Sequence, residues 1–406
     1  MKHREQGMGR RWFYLAVGVI AMLFAGILYA WSILKAPFGA DFGWGASELA
    51  LNFTLAMCFF CLGGLLGAQI SKRFGHRPAL VGAGVLTALG FGLTACLSGA
   101  SVAMLYVTYG VLAGLGIGIS YNVVISTVSS WFPDQKGLCS GCLMMGFGAS
   151  ALVLGNVANS LFGSSLGWRM TFVLLGIAIG IVLILGALLL KKPGEDVHFP
   201  ESKKKAALAE DFDPKEYTSR QMLSRASFWM AFFCIVFLAA VGSSVISFAK
   251  DLALSVKASE SLAVTLVGVL SVCNGVGRIL TGAVFDALGR KKTMICANLL
   301  TICAAAMTLL AVSVSSLPLC IVGLCLSGLS YGSCPTITAA FTSSFYGMKH
   351  YSNNMALMTF NVMGGSFVAT LSSKLLESTG GYTVPFLMLL VLTLAALGIN
   401  LCIRRP

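Results

Sequence analysis

Charge is scarce in this chain. Asp, Glu, Lys and Arg make up 11% of its 406 residues, while 57% are hydrophobic and the mean hydropathy is +0.86. Soluble globular domains carry about 25% charged residues, so a polytopic membrane protein is expected. Metal and redox chemistry are equally poorly supplied. The four histidines, His3, His76, His198 and His350, fall outside the apolar runs, which argues against an intramembrane metal site or histidine proton relay. The 13 cysteines are scattered through apolar stretches. No Cys-x-x-Cys pair has metal-ligand context, and "CFFC" (Cys58, Cys61) lies inside an expected helix. The cysteines therefore read as packing residues, with no disulfide framework, metal or cofactor. No paired acids or metal ligands sit at depth, which argues against a membrane-embedded enzyme. "GVLAGLGIGIS" has glycines spaced like a dinucleotide loop but no preceding strand, so it reads as helix packing. "NFT" at Asn52 formally matches a glycosylation acceptor but begins inside a helix.

Long apolar runs are plentiful. Stretches of spanning length fall near 12–35, 47–70, 78–98, 102–131, 138–163, 168–190, 226–250, 260–289, 293–314, 317–346, 352–373 and 382–403. The first, in "MKHREQGMGRRWFYLAVGVIAMLFAGILYAWSIL", is longer than a signal-peptide core and lacks a small-residue cleavage site, so it reads as a retained helix. The expected fold is an all-α membrane protein with twelve transmembrane helices in two pseudosymmetric six-helix bundles. The expected N-terminal bundle is 1–190, the cytoplasmic linker 191–225 and the C-terminal bundle 226–406. The linker is polar and charged and reads as solvent-exposed. It is too short for the soluble output domain of a membrane sensor.

Charge orients the chain. Of 28 Lys and Arg, five (Lys35, Arg169, Lys250, Lys257, Lys374) sit at outer ends, Arg278 lies in a span, and 22 fall in segments that are cytoplasmic if the N-terminus is inside. That follows the positive-inside rule and puts both termini in the cytoplasm of an inner-membrane protein. The net charge of +13 then reports topology, and no basic–aromatic nucleic-acid motif appears. Two loop pairs repeat. "SKRFGHRPA" resembles "FDALGRKKT", with Gly75 and Gly289 214 residues apart, and "WFPDQKG" resembles "SFYGMKH", with Lys136 and Lys349 213 apart. Matches at nearly one offset point to two duplicated halves, an arrangement that places a substrate site near the midplane and exposes it alternately to each side.

Arg278, in "NGVGRILTGAVFDALGRKK", lies 12 residues before the basic cluster at Arg290, about 18 Å along a helix and near the middle of a bilayer core about 30 Å thick. An isolated arginine there costs at least about 2.5 kcal/mol. It is compensated either by a structural acid or by an anionic ligand. Asp41, Glu48, Asp251, Glu260 and Glu377 lie near the outer face and Asp134 and Asp286 near the inner face, so no midplane acid is evident. A carboxylate substrate, met by two parallel guanidinium donors, is the expected partner. Tyr121 (helix 4) and Tyr331 (helix 10) share a Ser-Tyr dipeptide and a similar depth. They read as hydroxyl donors to the substrate or as packing aromatics. Asn122, Asn274 and Asn361 are further polar residues at this depth, with Asn274 one turn before Arg278 and able to orient it. Each span offers only isolated polar residues, which argues against a channel.

The pattern Gly282, Asp286, Gly289, Arg290, Lys291 resembles the loop signature of the major facilitator superfamily. The first-half copy departs from it, with Ala68 and Lys72 at the usual Gly and Asp positions. "LYAWSI", "FGWGASELALNFT", "WFPDQKGLCSG", "GWRMTF" and "NGVGRILTG" together resemble the oxalate/formate antiporter family and related monocarboxylate transporters over nearly everything but the central loop. The resemblance implies a secondary transporter of small organic anions, with Arg278 as carboxylate ligand and Leu28 and Tyr29 at cavity positions; Phe360 and Asn361 are further candidates beside the substrate, and a monomer is expected. Oxalate-type exchange in this family implies a second cation in helix 11, yet 352–373 contains no Lys or Arg. A monocarboxylate of lactate, pyruvate or formate size is therefore expected over a dicarboxylate. Some relatives carry a proton-accepting acid where Asn274 stands, so proton symport, for instance through an outer acid such as Asp251 or Glu260, and anion exchange both remain open.

Overall fold

Apolar surroundings leave the backbone no partner but itself, so spanning segments close every N–H and C=O bond within a helix. The computed structural model follows this rule. It describes residues 2–99, 101–132, 136–194, 216–347 and 350–404. The side chains of 2–9, 136–138, 140, 286, 351, 352 and 356 are not described. Asp134, His198, Lys349, most of the expected linker, and the side chains of His3, Lys136 and Asp286 thus lie outside the described residues.

Among the described residues there is no strand, and twelve helices are long and apolar enough to cross a membrane. Helices 1 to 6 are Arg10–Phe42, Ala46–Phe74, His76–Ala95, Val102–Ser129, Gly141–Phe162 and Gly167–Leu189. Helices 7 to 12 are Ala226–Ser255, Glu260–Phe285, Ala287–Ser313, Leu317–Tyr346, Asn353–Thr379 and Thr383–Cys402. Local chemistry marks the ends. Ser101 Oγ accepts from the Ala103 N–H at 3.2 Å at the start of helix 4, and Ser259 Oγ from the Leu262 N–H at 3.3 Å at the start of helix 8. Gly43 (φ 66°) and Gly380 (φ 68°) close helices 1 and 11 in the left-handed conformation. The repeated loops share a backbone shape as well as a sequence. Gly75 has φ 93° and ψ 169°, and Gly289 has φ 70° and ψ 175°, a conformation that excludes a side chain at either position.

The described chain forms two compact units. One comprises 1–30 with 55–210, the other 31–54 with 211–406. The segment 31–54, expected in the N-terminal bundle, groups with the C-terminal helices instead. Polar bonds account for this. Lys35 Nζ pairs with Asp251 at 2.7 Å, the Ser47 N–H donates to Glu377 Oε1 at 2.8 Å, and Thr54 Oγ1 donates to the Ser366 carbonyl at 2.6 Å. Helix 1 changes character where it changes unit. It is α-helical to Ala25, tightens to a 3-10 turn over Gly26–Ala30, and resumes as Trp31–Leu34 and Ala36–Phe42.

In the first unit, helices approach to backbone contact at glycines. A Cβ on Gly114 would come within 2.7 Å of the Ala56 carbonyl, and one on Gly118 would collide with the Phe60 carbonyl. Arg169 of "GWRMTF" caps helix 3. Its Nη1 donates to the Ala95 and Leu97 carbonyls at 2.9 and 2.6 Å while its guanidinium stacks 4.4 Å from the Trp168 ring.

The end of the expected solvent-exposed linker is mostly exposed but is anchored to the helices at two buried residues. Residues 216–225 form a strap on the adjoining ends of helices 10 and 11, with Tyr217 and Met222 buried. The Tyr217 N–H donates to the Tyr346 carbonyl at 3.1 Å. Asn354 Nδ2 donates to the Tyr217 carbonyl at 2.9 Å while its Oδ1 accepts from Ser219 Oγ at 2.9 Å. A short helix, Ser219–Leu223, follows with a Thr218–Gln221 capping box. The polar composition that suggested a free linker here supplies caps and inter-helix bonds. Asn354→Ala strands the Tyr217 carbonyl and the Ser219 hydroxyl, so a loss of about 1–3 kcal/mol is expected. Thermal unfolding in detergent checks it: the variant should melt several degrees lower, and an unchanged midpoint would contradict the strap.

Candidate functional site

The first unit contributes an aromatic cluster from four helices. The 3-10 turn of helix 1 buries Leu28 completely and directs Tyr29 edge-on to Phe147 of helix 5, with centroids 5.1 Å apart at 86°. Phe147 meets Tyr121 of helix 4 at 5.2 Å and 79°, and Tyr121 meets Phe60 of helix 2 at 4.9 Å and 65°. The Tyr121 hydroxyl reaches Met144 Sδ at 3.3 Å. Gly26 makes this possible, since any side chain there would strike the Phe147 carbonyl. Two of the expected site residues, Tyr29 and Tyr121, are thus brought together, through a phenylalanine that sequence reasoning passed over. Asn122 is half-buried and faces helix 2, its Cβ 4.0 Å from where a Cβ on Gly64 would stand. Phe60 lies within "CFFC", where its apolar type does not distinguish a cluster residue from helix packing.

The second unit holds Arg278 where helices 8 and 10 touch. Three glycines bring the two backbones together. Gly277 lies against the Leu329 carbonyl, Gly328 against the Leu270 carbonyl, and Gly332 against the Asn274 carbonyl, with the Arg278 N only 3.1 Å from where a Gly332 Cβ would be. Thr336 Oγ1 donates to the Arg278 carbonyl at 3.3 Å. The half-buried Arg278 therefore springs from a backbone fixed on two sides. Tyr331, one residue before Gly332, is 5% exposed, and its ring packs flat enough on helix 7 that only glycine fits at position 242.

Asn274 is 1% exposed, and neither end of its amide has a hydrogen-bond partner. The expected hydrogen bond to Arg278 is not formed, and its backbone is pressed against helix 10 at Gly332. Unpaired buried amides cost about 1–3 kcal/mol, so water or ligand is the natural complement. Asn361 is 1% exposed but satisfied, donating to Thr338 Oγ1 at 3.0 Å and to the Met358 carbonyl at 2.6 Å. It begins the second stretch of helix 11, which breaks at the half-buried Phe360 between Tyr351–Thr359 and Asn361–Thr379.

In the loop motif, Arg290 stacks 3.9 Å from the Phe345 ring at the end of helix 10, and Lys291 is exposed. Gly282 has open space where a Cβ would stand. Asp286 is the motif member whose side chain lies outside the described residues. Two of the outer acids are engaged with lysines. Asp251 pairs with the buried Lys35, and Glu260 with the buried Lys250 at 3.0 Å. Burial, and then the Asp251 carboxylate, pushes the neighbouring Tyr382 hydroxyl well above its ordinary range, so it stays protonated. Among the described residues, no group of three or more His, Cys, Asp or Glu could hold a metal.

These features define an all-α membrane protein of twelve spans, with duplicated loop geometry and an arginine deep in helix 8. Comparison with known proteins gives the family. The family model for the Major Facilitator Superfamily matches residues 13–369 and 232–406, and the chain belongs to that superfamily. The chain is 30% identical to the oxalate:formate antiporter of Oxalobacter formigenes, over 71% of this chain and 66% of the antiporter. It is 24% identical to monocarboxylate transporter 12 of Xenopus laevis, over 88% and 80%. The uncharacterized MFS-type transporter YhjX of Escherichia coli is 26% identical over 86% and 84%. The fold is shared with the crystal structure of a bacterial homolog of the human lysosomal transporter Spinster, with a TM-score of 0.69 at 15% identity, over 97% of this chain and 96% of that one.

Gly332 and Gly282 test the helix 8–10 contact as a pair. Gly332→Ala drives a methyl into the Asn274 carbonyl and should cost about 1–3 kcal/mol, with lower membrane abundance and melting temperature. Gly282→Ala meets nothing and should stay within about 0.5 kcal/mol of the parent. Equal effects of the two substitutions would contradict the packing.

Proposed function

We propose that the chain is a secondary transporter of small organic anions, working by alternating access, with a monocarboxylate of lactate, pyruvate or formate size as its substrate. The observation that carries this reading is Arg278, half-buried on helix 8 and held by the helix 8–10 glycine contacts, in a chain whose helix 11 offers no second cation between 352 and 373. One carboxylate balances one guanidinium. A dicarboxylate would leave a negative charge unmatched in a low-dielectric interior, at a cost of several kcal/mol after relaxation. The further residues proposed to meet the substrate are Tyr331, Phe360 and the unpaired Asn274 amide in the second unit, and Leu28, Tyr29 and Tyr121 in the first. The names of the relatives, an oxalate:formate antiporter and a monocarboxylate transporter, support the anion class and leave the dicarboxylate as the second reading.

The chain is read as a monomer of the cytoplasmic membrane, with both termini inside and no enzymatic or nucleic-acid-binding activity. Coupling is to a proton or to a counter-anion. None of the site side chains named above is an acid or an imidazole, and the outer carboxylates Asp251 and Glu260 sit in ion pairs.

Counterflow-accelerated uptake into proteoliposomes tests the proposal. Lactate, pyruvate, formate and oxalate should be compared as competitors at equal concentration, at a pH where all are ionised. A monocarboxylate should compete best. Oxalate competing tenfold better, about 1.4 kcal/mol, would overturn the single-cation argument. Internal pH recorded during the same uptake, without counter-anion, separates the couplings. Acidification of the lumen means symport, whereas strict dependence on a preloaded anion with no pH change means exchange.

A further inference from the structure

Ser271 of helix 8 breaks a habit of this chain. Buried hydroxyls on its helices commonly bond back to their own backbone. Ser247 Oγ donates to the Ser244 carbonyl at 3.0 Å, Ser333 Oγ to the Ser330 carbonyl at 2.6 Å, and Thr338 Oγ1 to the Cys334 carbonyl at 2.7 Å. The buried Asn298 does the same, its Nδ2 donating to the Met294 carbonyl at 2.7 Å. Ser271 is fully buried, yet its hydroxyl has no hydrogen-bond partner. Asn274, three residues on, is buried with both ends of its amide unpaired. Buried polar groups left this way are costly, and a ligand that pairs with them recovers the cost.

Ser271, Asn274 and Arg278 stand at i, i+3 and i+7, on one face of the helix. Toward the start of helix 8 this face turns apolar, with Val267 and Val264 both buried, so the polar stretch ends at Ser271. A long side chain on a helix covers the turn before its own Cα. The reach of Arg278 therefore runs toward Asn274, and Ser271 lies about 4.5 Å further along the axis. A hydroxyl both donates and accepts, so it can satisfy either the Asn274 amide or the Ser271 hydroxyl. A keto oxygen only accepts and leaves Asn274 Oδ1 unpaired, and a methyl group satisfies neither residue.

We propose that Ser271 and Asn274 form the tail subsite for the transported anion, and that its substrate class is a short monocarboxylate hydroxylated on the two carbons after the carboxylate, a 2,3-dihydroxy acid of glycerate type. This rests on Arg278 as the carboxylate ligand. The 2-hydroxyl meets the Asn274 amide, and the 3-hydroxyl meets Ser271. Selectivity follows from the same physics as the vacancy: an analogue lacking a hydroxyl leaves a buried polar group of the protein unpaired, which is a stronger ground for rejection than a missing apolar contact.

A series of three-carbon acids tests it. Propionate, pyruvate, lactate and glycerate, the chiral acids as both enantiomers, are titrated against the purified full chain at a pH where all are ionised. The concentration giving half-maximal thermal stabilisation is read for each. Glycerate should act at the lowest concentration, lactate at a roughly tenfold higher one, and propionate roughly tenfold higher again, with pyruvate between lactate and propionate. Ser271→Ala should bring glycerate to the level of lactate, and Asn274→Leu should bring lactate to the level of propionate. The ranking on the parent chain needs no variant, so it decides the matter even where a substitution disturbs folding. Equal half-saturation by the four acids overturns the subsite and leaves Arg278 as carboxylate ligand standing. Stabilisation by none of them overturns both. A glycerate preference undiminished in a folded Ser271→Ala variant overturns the part given to Ser271.

Discussion

A polar or charged group in a low-dielectric interior must find a partner, and this constraint organises the protein from end to end. At the outer ends of the helices the partners are internal: Lys35 with Asp251, Lys250 with Glu260, and the Ser47 amide with Glu377. At the helix 3 terminus, Arg169 satisfies two carbonyls. Within helix 8, the Asn274 amide has no hydrogen-bond partner, one turn before Arg278 and beside a glycine-lined backbone contact. The functional reading starts from the cost of placing an arginine there.

Much of the fold was legible because the bilayer imposes length. Each apolar run of about 20 residues became a helix, and the observed bounds differ from the expected ones mostly at outer ends, where helix 1 continues to Phe42 and helix 11 to Thr379. The loop repeat was legible because glycine at positive φ is a backbone requirement, visible at both Gly75 and Gly289. The grouping of 31–54 with the C-terminal helices was not legible, because it rests on partners hundreds of residues away, such as Thr54 and Ser366, which no local pattern announces. The strap at 216–225 was missed for a related reason. Thr, Ser, Asn and Gln look the same in sequence whether they bond to water or cap a helix.

The site was legible in part. Arg278 announced itself by cost, and Tyr121 by depth. Phe147, the ring that joins Tyr29 to Tyr121, could not be told from the other apolar residues of helix 5, since periodicity in a lipid-facing bundle does not separate cavity walls from packing. Asn361 carried a polar signal that the structure spends on Thr338 and the Met358 carbonyl, so its part in binding would require it to exchange one partner for another.

The central claim is that Arg278 binds the substrate carboxylate, and equilibrium binding to the purified protein tests it most directly. Thermal unfolding should be followed with and without saturating monocarboxylate for the parent, Arg278→Lys and Arg278→Gln. At ligand about 100 times Kd the parent should gain about 2.7 kcal/mol. Lys should retain only part of this gain, because an ammonium cannot present two parallel donors, and Gln should show none while folding to normal abundance. A Gln variant stabilised by ligand as strongly as the parent would contradict the account.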